Sequence, residues 1–381
     1  VEARSPALAA GSIRVVHLVD AMGSTHLWGK ERAIAALMTR QRSAGIATHL
    51  VAFAPNELVE LLDARGFRTD VLGRRPRRVP FRALARLIAL LRAEPATVLH
   101  THGYKANIVG RAARAAGAPI RRLVATVHGM NDETRALAFY NRLDRFTAPF
   151  SHAVAVADAQ LPPSFPRAAR VTYVANAIAD QAPFGPAERA AARRRFGLAE
   201  DAFVVGLLGR VTAAKGALDV LAVARACTDP RIVFAFAGDG ELVRSADVPA
   251  NVRFVGYVDD ADAYLPALDA YLQASHTEGL SLALLEAMRG GLACIATRVG
   301  STERAIEDGR DGLLIPPGDP PALRAAVERL AADEPLRARL AAAARARFAA
   351  EFTMDRHHRA YLSLYGASDA ERLPLQQVPL A

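Results

Sequence analysis

Two glutamates eight residues apart, Glu278 and Glu286, stand in the stretch SHTEGLSLALLEAM, residues 275–288. Residues 270–274 read as a short buried strand, His276 to Gly279 as the turn after it, and Leu280, Leu282, Leu284, Leu285 and Met288 as the buried side of the next helix. The turn therefore belongs at the carboxyl end of a strand, where open α/β sheets bind ligands. A helix beginning there aims unpaired backbone N–H groups and a partial positive charge at whatever sits above it. At about 1.5 Å of rise per residue, the two carboxylates fall within about 12 Å, close enough for one small molecule to touch both. The competing reading makes Glu278 a helix cap and Glu286 a solvated helix residue.

Other pairs stand at the ends or beginnings of apolar runs: Gly209-Arg210, Lys215-Gly216, Gly238-Asp239-Gly240 and Gly312-Leu313-Leu314-Ile315. Arg210 offers a planar fork of donors and Lys215 a mobile point charge. The helix start near Gly279, Leu280 and Ser281 offers fixed N–H groups, so the set suits an oxyanion. The glycines are expected to let the backbone approach that anion closely. Taken alone, Arg210 and Lys215 fit an ordinary surface turn with two solvated cations. Neither a Walker loop nor a G-x-G-x-x-G fingerprint is present, which removes support for a P-loop NTPase or a nicotinamide enzyme.

The elements needed to hold these residues alternate along the chain. Strands are expected at 13–19, 49–53, 69–72, 98–101, 123–127 and 153–156, and again at 203–208, 232–237, 252–255, 271–273, 294–297 and 313–315. Alternating strands and helices, twice over, predict an α/β chain with a parallel sheet in each half. The turn-rich run 181–186 (QAPFGP) marks the boundary, followed by a basic helix over 187–196. Helices over 321–330 and 335–350 close the second half.

Composition agrees, since 381 residues is about twice a usual domain and 51% hydrophobic content fills two cores. Two cysteines, Cys227 and Cys294, make no disulfide framework, and no Cys/His cluster shows metal-ligand spacing in the sequence. A reducing, cytoplasmic setting is expected. No apolar run approaches the roughly 20 residues that span a bilayer, and residues 1–12 lack a charged start followed by an apolar core.

In this order the motifs resemble the retaining GT-B glycosyltransferases of glycosyltransferase family 4, the group that includes bacterial mannosyltransferases and sucrose synthases. The family's Glu-x7-Glu falls at Glu278 and Glu286, preceded by its Gly-Arg and Lys-Gly segment at Gly209 to Gly216, and the resemblance spans about residues 13 to 366. It implies two Rossmann-like doubly wound domains facing across a cleft: residues 1–180 on the acceptor side, 181–350 on the donor side, and 351–381 as a helix crossing back plus a tail. It implies further that Arg210 and Lys215 hold the donor diphosphate, with Gly209 and Gly238 beside them. Glu286 would accept from ribose hydroxyls, Glu278 would contact the transferred sugar, and Gly279, Leu280 and Ser281 would serve through backbone N–H. His128, after the strand 123–127, matches an active-site histidine facing the donor sugar, although a lone histidine after a strand also fits a structural role. The implied chemistry is front-face displacement, the donor phosphate oxygen taking the acceptor proton. It needs no side-chain nucleophile, metal or cofactor, and the nucleotide diphosphate sugar is a co-substrate.

Departures from the family pattern fall on the acceptor side. Where relatives carry Gly-Gly-x-Glu, this chain has Trp28-Gly29-Lys30-Glu31, so the resemblance implies that Gly29 would keep its place beside the diphosphate while Trp28 would stack on an acceptor sugar or cover the core. Val299-Gly300 replaces a Gly-Gly pair and Asn176-Ala177 an Asn-Gly pair.

The net charge of +9 favours an acidic partner, yet basic residues are not interleaved with exposed aromatics in any nucleic-acid motif. They gather instead at Arg74, Arg75, Arg77, Arg78, Arg82, Arg86 and Arg92, where Phe81, Leu84, Leu87, Ile88 and Leu91 recur at helical spacing. Two readings stand: a solvated helix packed on the first core, or a basic surface for anionic lipid on the inner face of the plasma membrane. The expected activity is sugar transfer to a glycan, lipid-linked or small-molecule acceptor. A GT-B nucleotide-sugar epimerase and a non-catalytic nucleotide-sugar-binding protein are the alternatives.

Overall fold

The computed structural model describes residues 13–20, 29–73, 81–128, 134–243 and 248–367. The chain divides into two units. One holds residues up to Asn176 together with those from Met354 onward; the other runs from Ala177 to Thr353.

The first unit runs β1 (Arg14–Val19), α1 (Gly29–Ser43), β2 (Ala47–Ala52), α2 (Glu57–Ala64), β3 (Arg68–Val71), α3 (Phe81–Ala93), β4 (Ala96–His102), α4 (Tyr104–Ala115), β5 (Ile120–Val127), α5 (Arg135–Thr147), β6 (Ala153–Val156) and β7 (Val171–Tyr173). Its seven parallel strands lie in the order 3-2-1-4-5-6-7. Side chains alternate across such a sheet. On one face Val16, Leu18, Val51, Leu99 and Leu123 meet Leu87 and Leu91 of α3 and Val109 and Ala113 of α4.

The second unit continues with α6 (Pro186–Phe196), β8 (Phe203–Leu208), α7 (Ala217–Ala226), β9 (Ile232–Ala237), β10 (Val252–Gly256), α8 (Ala261–Tyr264), β11 (Ala270–Gln273), α9 (Leu282–Gly290), β12 (Ala293–Thr297), α10 (Thr302–Ala305), β13 (Leu313–Ile315), α11 (Pro320–Ala332) and α12 (Glu334–Glu351). Its six parallel strands take the order 10-9-8-11-12-13. Continuous apolar runs such as FVVGLL and IVFAFA make these strands because both faces are covered by helices. Asp319 caps α11 by accepting from Ala322 N, and Asp333 caps α12 by accepting from Leu336 N.

The chain then returns to the first unit as α13 (Met354–Tyr365). Tyr361, Leu364 and Tyr365 pack on the second face of the first sheet against Val15, Val98, Val124 and Leu37.

The two-sheet α/β architecture expected from the sequence is present, with three differences. The edge strand β7 escaped the sequence reading because VTY is too short to show a period. The division falls at Asn176 and Thr353, a few residues from the expected boundaries after 180 and 350. Phe81, expected on the buried stripe of α3, is 78% exposed. The seat is taken by Ala83, Leu87 and Leu91, and Phe81 lies about 200° around the helix from Ala83. Among the described residues no helix is long and apolar enough to cross a membrane.

Candidate active site

Each sheet order reverses direction once, between β1 and β4 in the first unit and between β8 and β11 in the second. At such a point the loops leaving neighbouring strands diverge and open a crevice at the strands' carboxyl ends. In the second unit Gly209 N donates to Ala237 O at 2.9 Å and Val211 N to Asp239 O at 3.0 Å, tying the loop after β8 to the loop after β9. A Cβ on Gly238 would stand 1.8 Å from Gly209 O, one on Gly240 2.2 Å from Val211 O, and one on Gly216 1.9 Å from Ala274 O. These glycines therefore pack loop against loop, a role the sequence reading did not assign them. Gly209 differs: at φ +143° an added Cβ would meet nothing within 4 Å.

The crevice is lined by Gly209, Arg210, Lys215, Tyr271, Glu278 and Ser281. Lys215 ends a short helical turn after the β8 loop and forms an ion pair with Glu278, which also accepts from Ser275 Oγ at 3.2 Å. Arg210 is exposed at the mouth. Ser281 caps α9, its hydroxyl accepting from Leu284 N. The buried Tyr271 hydroxyl is hydrogen-bonded to Ser281. Burial first, then the charges of Glu278 and Glu286, hold its pKa well above the usual tyrosine range, so it stays a proton-bearing donor.

Glu286 is 4% exposed on α9, which removes the reading of a solvated helix residue. Leu282, by contrast, is only half-buried. Glu286, Gly238, Gly279 and Leu280 do not line the crevice. Leu280 is buried, and Gly279 O accepts from Ser301 N at 3.1 Å. A pair missed in the sequence ties the loop after β11 to the start of α7 and the turn before it: His276 Nε2 lies 2.9 Å from Asp219 Oδ2, while His276 N donates to Ala214 O at 2.9 Å. Its partners come from a distant stretch, so no local pattern announced it.

Gly29 and His128 belong to the first unit. Gly29 is the first residue of α1; Trp28, Arg74, Arg75, Arg77 and Arg78 lie outside the described residues. His128, itself half-buried, follows β5 and leads into a run of buried rings. Its Nε2 is 3.1 Å from His102 Nδ1, His102 Nε2 is 3.0 Å from His17 Nδ1, and His17 Nε2 is 2.8 Å from Gln41 Oε1. Gln41 Nε2 donates to Tyr365 Oη at 3.0 Å, which is 2.7 Å from His100 Nδ1, whose Nε2 is 2.7 Å from Thr126 Oγ1. Strand alternation explains the gathering. His100 and His102 fall on the face of β4 that also carries Val98, and His17 sits directly opposite His100 on β1. Burial pushes His17 down to about 4; burial and nearby Lys30 push His128 down to about 3, so these rings are neutral at pH 7.

The sequence showed no metal cluster, yet His17, His100 and His102 bring ligand nitrogens within 4.8 Å of one another. Every ring nitrogen of the three is engaged in the hydrogen bonds above. An ion would have to break several of them, so the trio fits a hydrogen-bonded chain better than a metal centre.

Residues 29–183 match the family described as Glycosyltransferase Family 4, and residues 188–347 the family described as Glycosyl transferases group 1. The lipopolysaccharide core biosynthesis glycosyltransferase LpsE of Rhizobium meliloti is 33% identical over 172 residues, covering 43% of this chain and 50% of that protein. The UDP-Gal:alpha-D-GlcNAc-diphosphoundecaprenol alpha-1,3-galactosyltransferase of Escherichia coli is 27% identical over 263 residues, covering 61% and 66%. The chain thus spans about half to two thirds of the length of these curated relatives. The crystal structure of Anabaena Alr3699/HepE in complex with UDP superposes with a TM-score of 0.79 at 20% identity, over 91% of this chain and 98% of that one, a likeness of fold. With both halves matched in order and the two-sheet architecture recurring in that structure, the chain belongs to the GT-B glycosyltransferases of the family 4 type.

Proposed function

We propose that the protein is a retaining, metal-independent glycosyltransferase that moves a sugar from a nucleotide diphosphate sugar to a glycan, lipid-linked or small-molecule acceptor in glycoconjugate assembly. One observation carries the reading: Arg210, Lys215 and Glu278 converge with Gly209 and Ser281 in one crevice at the strand-order reversal of the second sheet. Breaking the bond between sugar and diphosphate builds negative charge on the departing phosphate. Arg210 and Lys215 neutralise that charge, while the start of α9 adds oriented N–H groups. Glu278 accepts from hydroxyls of the transferred sugar, Glu286 from those of the ribose, and His128 faces the sugar. Gly29 and Gly238 complete the donor side. The relatives' names fit this assignment: one acts in lipopolysaccharide core synthesis, another on a diphosphoundecaprenol-linked sugar.

The test is a panel of nucleotide sugars with nucleoside diphosphate release followed with and without acceptors. Acceptor-dependent release supports transfer. Acceptor-independent production of free sugar or an epimer points to an epimerase, and binding without turnover to a silent binding protein.

Attachment to the inner face of the plasma membrane is part of the same proposal. Arg82, Arg86 and Arg92 lie on α3, but a second surface supports it more directly. On α5, Arg135, Phe139, Arg142 and Phe146 recur at intervals of three and four, and Phe150 follows. Phe139, Phe146 and Phe150 are 62%, 72% and 62% exposed. The helix's one carboxylate, Asp144, is buried against Arg111, so the outer stripe presents only rings and cations. Such a face suits anionic headgroups above an apolar boundary.

A further inference from the structure

We propose that His102, His17, Gln41 and Tyr365 are positioning residues that fix the tautomer of His128, so that its Nε2 carries the proton and its Nδ1 is left as a hydrogen-bond acceptor. The inference deepens the reading of His128 as an active-site residue and rests on that reading for its consequence in turnover.

The chain of bonds leaves little freedom. Gln41 Oε1 can only accept, so the His17 nitrogen facing it at 2.8 Å, Nε2, bears hydrogen. A neutral imidazole has one N–H, so His17 Nδ1 must accept, and the group it accepts from is His102 Nε2 at 3.0 Å. By the same step His102 Nδ1 accepts from His128 Nε2 at 3.1 Å. Each link requires the ring to be neutral, and burial holds the pKa values of all three histidines well below their ordinary value.

The orientation of one amide therefore sets all three rings. Gln41 is itself held from the far side: its Nε2 donates to Tyr365 Oη, which then donates to His100 Nδ1, leaving His100 Nε2–H for Thr126 Oγ1. Turning the Gln41 amide over would reverse every bond and make His128 present Nδ1–H instead. A lone pair at Nδ1 can accept from a sugar hydroxyl; an N–H there cannot. Tyr365 comes from α13, which gives this helix a purpose beyond packing. The device is the one by which buried partners orient other functional imidazoles.

Two-bond 1H–15N correlation spectra of the histidine rings in the full chain test the assignment directly. His17, His102 and His128 are expected as Nε2–H tautomers at pH 7; Nδ1–H or mixed forms at any of the three overturn it. In Gln41→Met, His128 is expected to become a tautomer mixture and kcat to fall roughly tenfold or more with a smaller change in donor KM. Gln41→Glu keeps an acceptor toward His17 and is expected to restore both the tautomer and most of kcat. Equal damage in both variants, or a His128 spectrum and kcat untouched by Gln41→Met, overturns the proposal. Should the wild-type protein turn over no nucleotide sugar, the active-site reading of His128 fails, and the spectra alone decide the relay.

Discussion

The ammonium of Lys215 is held by the carboxylate of Glu278, which accepts at the same time from Ser275 Oγ at 3.2 Å. On the proposed reading, the cation for the diphosphate is thus already engaged by the carboxylate for the sugar. Both groups are partly buried, so the pair is screened less than a surface ion pair.

A phosphate arriving at Lys215 must share it with Glu278 and meet the carboxylate's own charge. Glu278→Gln is therefore expected to tighten binding of a bare nucleoside diphosphate about threefold to tenfold while lowering turnover. Lys215→Ala should weaken the same binding by about 1.5 to 3 kcal/mol, the range for a hydrogen bond to a charged group. Titration calorimetry reads both. Weaker binding in Glu278→Gln would show that the glutamate supports the phosphate site rather than competing with it.

The glycine contacts allow a sharper contrast. Gly238→Ala places a methyl 1.8 Å from Gly209 O, backbone against backbone, so one loop must move. Gly209→Ala meets open space and costs mainly the strain of its backbone conformation, about 1 to 3 kcal/mol. Thermal melts should rank Gly238→Ala as the less stable of the two. Equal melting temperatures would mean the loops separate without cost.

Much of this site was legible because its residues sit in loops that follow apolar runs: FVVGLL ends just before Gly209 and AYLQ just before the loop to Glu278. Both are near-continuous buried strands whose ends can be read locally. Gly216, Gly238 and Gly240 could be singled out, but their part in packing the loops could not be read, since the atoms they avoid lie on other loops. The histidine chain was illegible for a related reason. His17, Gln41, His102, His128 and Tyr365 come from β1, α1, β4, the end of β5 and α13, and only the strand order 2-1-4-5 brings them together. The available hint was chemical: polar rings in RVVHLV and at alternate positions of ATVLHTH, in strands otherwise buried.

Those rings make the first unit sensitive to acid. His17, His100 and His102 have folded pKa values below the ordinary 6.5 because burial penalises the charged form. Below about pH 6.5 the unfolded chain binds protons that the fold refuses, so stability falls with pH and the loss levels off near the folded values, about 4 for His17. Each histidine kept neutral costs about 2 kcal/mol by pH 5. Between 177 and 353 the sequence holds a single histidine, His276. Hydrogen exchange at pH 7 and pH 5, corrected for intrinsic rates, should show protection lost first in β1, β4 and β5. Earlier loss in β8 and β11 would contradict it.

The stripe on α5 gives the last expectation. Phe139, Phe146 and Phe150 add apolar area that basic residues alone lack, so binding to anionic vesicles should weaken with salt yet retain a salt-resistant part. Changing the three to serine should abolish that resistant part and leave the fold intact, because none of the rings is buried. Sedimentation with neutral and anionic vesicles, at low and high ionic strength, separates the contributions. If the triple variant binds like the native chain, the rings are not at the lipid boundary. If binding is then lost only on replacing Arg82, Arg86 and Arg92, the surface belongs to α3 instead.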